Sequence, residues 1–238
     1  MQRHIVSFSG GKDSTAMLLL MLEKGWPIDR IIFVDTTKEF PQMYKHIDQV
    51  QRLCPIPIER VAIDYDYWFS EHIKKKGKHK GEKGYGWATS RTRWCTALKR
   101  EAFAAAAGVK YQARNRIVTP IPEDIIEYHG IASDETKRIR NIPRVRYPLV
   151  EWGLTETDAL QYCRSRGLTW GGLYDAGFTR VSCFCCPLKR IEELRILYRK
   201  YPELWLKLYE MDQKSPFPFK ANWTVPALAR RFFEECFR

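Results

Sequence analysis

The chain has 238 residues, 45% of them hydrophobic, which suffices for one sizeable α/β domain with an appendage or for two small domains. No run approaches the roughly 18–20 apolar residues of a membrane span, and the start runs into a strand pattern instead of a secretory leader, so a cytoplasmic protein with no membrane partner is expected. The formal net charge of +12 favours polyanionic partners, nucleotides or nucleic acid, although a basic surface with no specific partner has the same composition.

In chain order, Arg3–Phe8 reads as a first strand and Lys12–Lys24 as a helix. Arg30–Asp35 is a buried-strand run, and Pro41–Leu53 a helix with proline in its first turn, where a missing N–H does no harm. Glu59–Ile63 is a third short strand. This β-α-β-α-β order predicts a parallel sheet with helices on both faces, right-handed crossovers, and ligands beyond the carboxyl ends of the strands. Lys74–Gly86 (KKKGKHKGEKGYG) buries little and reads as a mobile surface loop, either a solvated spacer or a nucleic-acid contact. Cys95–Ala107 is a helix ended by Gly108, and Asp124–Ile131 holds a further strand. Thr155 with Asp158 has the form of a helix start leading into Ala159–Arg166. Glu192–Met211 is helical with a break near Pro202, and Ala227–Phe237 is a last amphipathic helix. There are no repeats and no clear linker. The expected division is a nucleotide-binding domain over 1–190 and a C-terminal helical portion over 191–238.

Residues 7–14, Ser7-Phe8-Ser9-Gly10-Gly11-Lys12-Asp13-Ser14, sit at the first strand-to-helix junction. Glycines let the backbone approach an anion, and N–H groups at a helix start present a positive dipole end. Lys12 adds a cation, and Ser9 and Ser14 add hydroxyls. The spacing is too short for the G-x-x-x-x-G-K-[ST] loop of phosphoryl-transfer NTPases. SGGKDS resembles the PP-loop of the adenine nucleotide alpha hydrolase superfamily, a Rossmann-like fold. That resemblance implies that the loop grips the pyrophosphate of ATP, with Ser7, Ser9, Gly10, Gly11, Lys12, Asp13 and Ser14 at the nucleotide. It also implies attack at the α-phosphate, an adenylated intermediate, and Mg²⁺ beside the leaving pyrophosphate. Lys12 and Asp13 are then the catalytic candidates. Asp35 and Glu39 match the superfamily's D-T-x-x-E-F-P stretch near the nucleotide, although a strand-end acid can also be a cap.

Seven cysteines, an odd number with three of them between Cys183 and Cys186, argue against a secreted disulfide framework. Adjacent Cys185 and Cys186 rarely form a relaxed disulfide. Thiolates at C-x-x-C before Pro187 select an iron–sulfur cluster or zinc. Cys95, at a helix start among Arg91, Arg93 and Lys99, is the best further ligand. Cys54 and Cys163 read as core residues.

The stretch from Leu173 to Pro187 (LYDAGFTRVSCFCCP) and the Cys95–Lys99 segment (CTALK) resemble the PAPS reductase (phosphoadenosine phosphosulfate reductase) family within that superfamily. Gly130–Glu135 with Arg138, and Tyr147–Trp152 followed by Thr155, add to the likeness, which covers roughly residues 3–190. It implies a [4Fe–4S] cluster on Cys95, Cys183 and Cys186, with Cys185 as fourth ligand or the fourth iron left open for sulfide or substrate; zinc is the runner-up. It also implies substrate contacts from Lys99, Asp134, Arg138 and Arg180. Two reactions compete. One is ATP-dependent adenylation with sulfur transfer, on tRNA or DNA and with a sulfur-donor protein. The other is reduction of a sulfonucleotide with release of sulfite. The full SGGKDS loop favours ATP. The family reductases' C-terminal E-C-G-x-H tail is here Glu235-Cys236-Phe237-Arg238, without its glycine and histidine. A nucleotide- or redox-sensing module is the non-enzymatic alternative.

Overall fold

The runs expected as the first three strands, Arg3–Phe8, Arg30–Asp35 and Glu59–Ile63, become strands. The computed structural model describes residues 2–109, 121–235 and 237. The strands β1 (Arg3–Ser7), β2 (Arg30–Asp35), β3 (Ile58–Ala62), β4 (Ile125–His129) and β5 (Val145–Arg146) form one sheet in the order β3-β2-β1-β4-β5. Every pairing is parallel; Val6 lies opposite Ile31 on one side and Tyr128 on the other. Ile5 and Val6 point to opposite faces of β1, and both are fully buried, so both faces of the sheet are covered. The helices are α1 (Lys12–Glu23), α2 (Pro41–Leu53), α3 (Trp94–Ala107), α4 (Pro148–Glu151), α5 (Glu156–Ser165), α6 (Ile191–Lys200), α7 (Pro202–Lys214) and α8 (Val225–Glu234). Ala104 and Ala107 of α3 pack with Ile5, Ile32, Val34 and Ile125 on one face of the sheet. None of the described helices is long and apolar enough to cross a membrane.

The observed elements match the expected ones to within one to three residues at most ends. Thr155 accepts from Asp158 N–H while Asp158 accepts from Thr155 N–H, the reciprocal cap that the sequence suggested for α5. Gly108 takes φ +76° after α3, and α7 restarts at Pro202. Among the described residues, β5 and α4, too short to carry a period, went unpredicted, as did a π-helical turn at Tyr67–Glu71 and the 3-10 turns at Thr136–Arg138 and Trp170–Gly172.

The lysine- and glycine-rich stretch is exposed over residues 75–83, as expected of a surface loop, but its backbone is hydrogen-bonded into turns. Lys74 N–H donates to Glu82 O at 3.0 Å, Gly81 N–H to Lys74 O at 2.8 Å, and Gly84 N–H to His72 O at 2.8 Å. The Lys74 side chain is 9% exposed, with its ammonium on Glu82. Gly84 explains part of this order: with φ +65°, a Cβ there would meet Phe69 O at 2.4 Å, so only glycine closes the turn.

The chain divides into two compact units, and neither is a continuous segment. One holds residues 1–35, 41–63 and 98–174, and so the whole sheet. The other holds 36–40, 64–97 and 175–238.

Candidate functional site

In the sheet-bearing unit, the strand order reverses between β1 and β4, and ligands of open α/β sheets sit at that point beyond the carboxyl ends. The loop Ser7–Ser14 follows β1 there. Gly10 has φ +74°, and a Cβ on it would lie 2.8 Å from Met43 Cε. Gly11 starts α1 without a side-chain cap, leaving first-turn N–H groups that have no partner within the helix. Ser14 Oγ lies 2.9 Å from Ser9 Oγ and donates to Gly11 O at 3.1 Å, so the serines brace the loop from inside.

The loop also rests on a platform that sequence reasoning missed. Trp170 Nε1–H donates to Gly10 O at 2.7 Å. Its ring stacks on His46 at 4.2 Å, and His46 Nε2 lies 3.0 Å from Thr15 Oγ1 in α1. Trp170 holds φ +50°, a conformation that an L-residue keeps only where its surroundings fix it. His46 is 1% exposed, and burial drives its pKa down to about 3, so it is neutral. Lys12 N–H donates to Tyr174 Oη at 3.1 Å, and Cys163 Sγ–H donates to Lys12 O at 3.6 Å. Burial pushes the Cys163 thiol up to about 12, which leaves it a protonated core group, as expected. Gly130, directly after β4, packs against the start of α1: a Cβ there would lie 2.6 Å from Ser14 Cα and 2.7 Å from Ser14 N.

Lys12 is 7% exposed. Its ammonium lies 3.4 Å from Asp13 Oδ2 and 3.2 Å from Glu156 Oε2. One carboxylate oxygen each from Asp13, Glu135 and Glu156 fall within 4.8 Å of one another. Burial raises the Asp13 pKa to about 6, Lys12 lowers it, and the neighbouring Glu156 and Glu135 charges raise it further. Arg138, expected at substrate, holds Glu135 with contacts of 2.5 and 2.6 Å. Asp134, also expected at substrate, accepts from Glu156 N–H at 3.0 Å and so fixes the start of α5. Asp35 accepts from Tyr44 Oη–H at 2.9 Å. Lys99 is half-buried on α3. Glu135 and Glu156 had gone unassigned because they come from separate segments that only the fold converges.

The other unit contains all four cysteines expected to bind metal, together with Glu39 and the exposed Arg180. Glu39, 5% exposed, accepts from Thr36 Oγ1–H at 3.0 Å and from Cys183 Sγ–H at 3.6 Å. Phe184 N–H donates to Lys38 O at 2.9 Å, which ties the Cys183–Cys186 turn to the 36–40 segment. Cys185 is fully buried; burial first, then the charges of Cys183 and Cys186, raise its pKa well above the usual thiol value. The buried Tyr65 is raised by desolvation and by Cys185, Cys183 and Cys95, so the thiols share one electrostatic neighbourhood. Among the described residues, no three of these sulfurs lie within 4.8 Å of one another. Cys236 lies outside the described residues.

The sequence model of the phosphoadenosine phosphosulfate reductase domain matches residues 3–189. An uncharacterized protein of Methanocaldococcus jannaschii is 28% identical over 85% of this chain and 40% of its own length. A second uncharacterized protein of that organism is 23% identical over 84% of the chain and 45% of its length. An uncharacterized 37.8 kDa protein of Escherichia phage 186 is 24% identical over 88% of the chain and 74% of its length. The chain thus spans less than half of the two Methanocaldococcus relatives it matches.

Proposed function

The chain belongs to the phosphoadenosine phosphosulfate reductase domain family, and within it we propose an ATP pyrophosphatase that adenylates an acceptor and uses a thiolate-held iron–sulfur cluster in sulfur transfer. Membership carries the coarse statement, an enzyme of the PP-loop type. The finer reading rests on one observation: the carboxylates of Asp13, Glu135 and Glu156 crowd together beside Lys12 at the phosphate loop. Asp13, Glu135 and Glu156, as hard oxygen donors, would hold Mg²⁺, which would supply charge neutralisation at a bound phosphate. Burial first, and the neighbouring Glu156 and Glu135 charges after it, raise the Asp13 pKa to about 6, and a bound divalent cation would favour its ionised form. A sulfonucleotide has no β,γ-pyrophosphate to bring to such a site.

In this reading the Asp13 and Ser14 N–H groups in the first turn of α1 and the Lys12 ammonium hold the β- and γ-phosphates, while the Lys12 N–H stays on Tyr174. An acceptor oxygen attacks the α-phosphorus, its bond to that phosphorus forms, and the bond to the bridging oxygen of pyrophosphate breaks. Charge develops on the leaving pyrophosphate, where preorganised donors stabilise it most. Tyr174, Trp170 and Gly130 act through the backbone: they fix where Lys12 and the loop carbonyls point. Cys95, Cys183, Cys185 and Cys186 would hold the cluster, which would supply the sulfur chemistry when bound.

Calorimetric titration tests this reading. Tight binding of ATP that requires Mg²⁺ and is lost in Lys12→Ala is the expected result. A sulfonucleotide that binds more tightly than Mg·ATP, and yields sulfite with a thiol reductant, would replace the reading with the reductase.

A further inference from the structure

The unit that carries the cysteines also contains a cavity of about 1280 Å³. Four of the rings that line it are near-parallel. Trp68 lies 4.1 Å from His72 at 34°, His72 lies 5.1 Å from Tyr85 at 27°, and Tyr85 lies 5.8 Å from Trp94 at 25°. Trp87 and Phe219, 2% and 1% exposed, form part of its lining. Along the same cavity run Lys75, Lys76 and Lys78, all exposed and without an ion-pair partner among the described residues, whereas Lys74 is paired with Glu82. His72 is 8% exposed, and its Nδ1 has no hydrogen-bond partner.

We propose that this cavity binds single-stranded nucleic acid, with unstacked bases against the Trp68, Tyr85 and Trp94 rings and the backbone along Lys75, Lys76 and Lys78. Every base has a π-face, so aromatic platforms hold strands of any sequence, while unpaired cations track the phosphates. The volume exceeds the 300–1,000 Å³ or so of a small-molecule site and suits several nucleotides of a chain. An acidic peptide would satisfy the lysines but leave the ring faces unused. The further claim that the bound strand is the adenylation acceptor rests on the ATP reading; the binding itself does not.

The test is fluorescence anisotropy with labelled 12-nucleotide single strands, one ribo- and one deoxyribonucleotide, without ATP. Polyglutamate and a mononucleotide serve as competitors. Tyr85→Ala is expected to weaken binding by about 5- to 150-fold, the range for one lost base stack, and Tyr85→Phe to restore it. The surface variant Lys75→Gln/Lys76→Gln/Lys78→Gln should reduce the slope of log affinity against log salt by about 2. It should also leave Mg·ATP binding unchanged, which reports an intact fold. Lys12→Ala should bind strands as the parent does, so loss of the ATP reading and loss of this one are separable. Strand binding that is absent, indifferent to these variants, or matched by polyglutamate or the mononucleotide would overturn the proposal.

Discussion

Acidification should destabilise the sheet-bearing unit through one buried imidazole. His46 is 1% exposed between Thr15 and Trp170, and its pKa is held at about 3 by burial. In the unfolded chain the group titrates near 6.5. The folded pKa is the lower one, so the unfolded state binds more protons. Stability is therefore complete above pH 6.5 and is lost as the pH falls toward 3. Between pH 7 and pH 5 the two values give a loss of about 2 kcal/mol. Asp13 works in the opposite sense: its folded pKa, raised to about 6, makes the native state bind more protons over the same interval. It returns about 1 kcal/mol, so the raw pH profile of the protein is shallow. The variant His46→Gln removes the titration while keeping a polar partner for Thr15. Urea unfolding of both proteins at pH 7 and 5 in EDTA, followed by tryptophan fluorescence, isolates the term. The parent should lose about 2 kcal/mol more than the variant on acidification. Parallel pH responses would refute the buried neutral imidazole.

Three further outcomes follow from the site geometry. Gly130→Ala places a Cβ 2.6 Å from Ser14 Cα, so it should cost roughly 1–3 kcal/mol in urea unfolding and weaken Mg·ATP binding by displacing the start of α1. Glu156→Gln removes one of three clustered carboxylates, so the Mg²⁺ concentration for half-maximal ATP binding should rise about tenfold or more in calorimetry. Anaerobically reconstituted protein should be brown with absorbance near 400 nm, and Cys95→Ser or Cys186→Ser should lower its iron content, whereas Cys54→Ser should not.

What could be read in advance follows from the range over which each signal acts. The buried runs at Arg30–Asp35 and at β1, the proline at the start of α2 and the Thr155–Asp158 cap all report on a few neighbouring residues, and they marked their elements to within a few positions. The phosphate loop was legible because its glycines, lysine and serines are contiguous. The carboxylates around Lys12 were not, since residues 13, 135 and 156 meet only through the crossing of β4 and the docking of α5. The Trp170–His46–Thr15 support was hidden for the same reason; an aromatic and a histidine far apart in sequence carry no period. The interleaving of the two units, with residues 36–40 leaving the unit on either side of them, also lies beyond local patterns. Composition marked the lysine-rich stretch as surface, but it does not record the positive-φ glycines that fold Lys74 back onto Glu82.

The central claim is that the phosphate loop directs cleavage of ATP between its α- and β-phosphates. The most direct measurement uses ATP labelled at the α-phosphate, incubated with anaerobically reconstituted protein, Mg²⁺ and a single-stranded oligonucleotide, with products separated by chromatography. The account predicts label in AMP or in an adenylated strand, stoichiometric pyrophosphate, and a loss of about 10²–10³-fold in Lys12→Ala, the range for one preorganised donor to a developing anion. Label in ADP with release of inorganic phosphate, or a rate unchanged in Lys12→Ala, would contradict it.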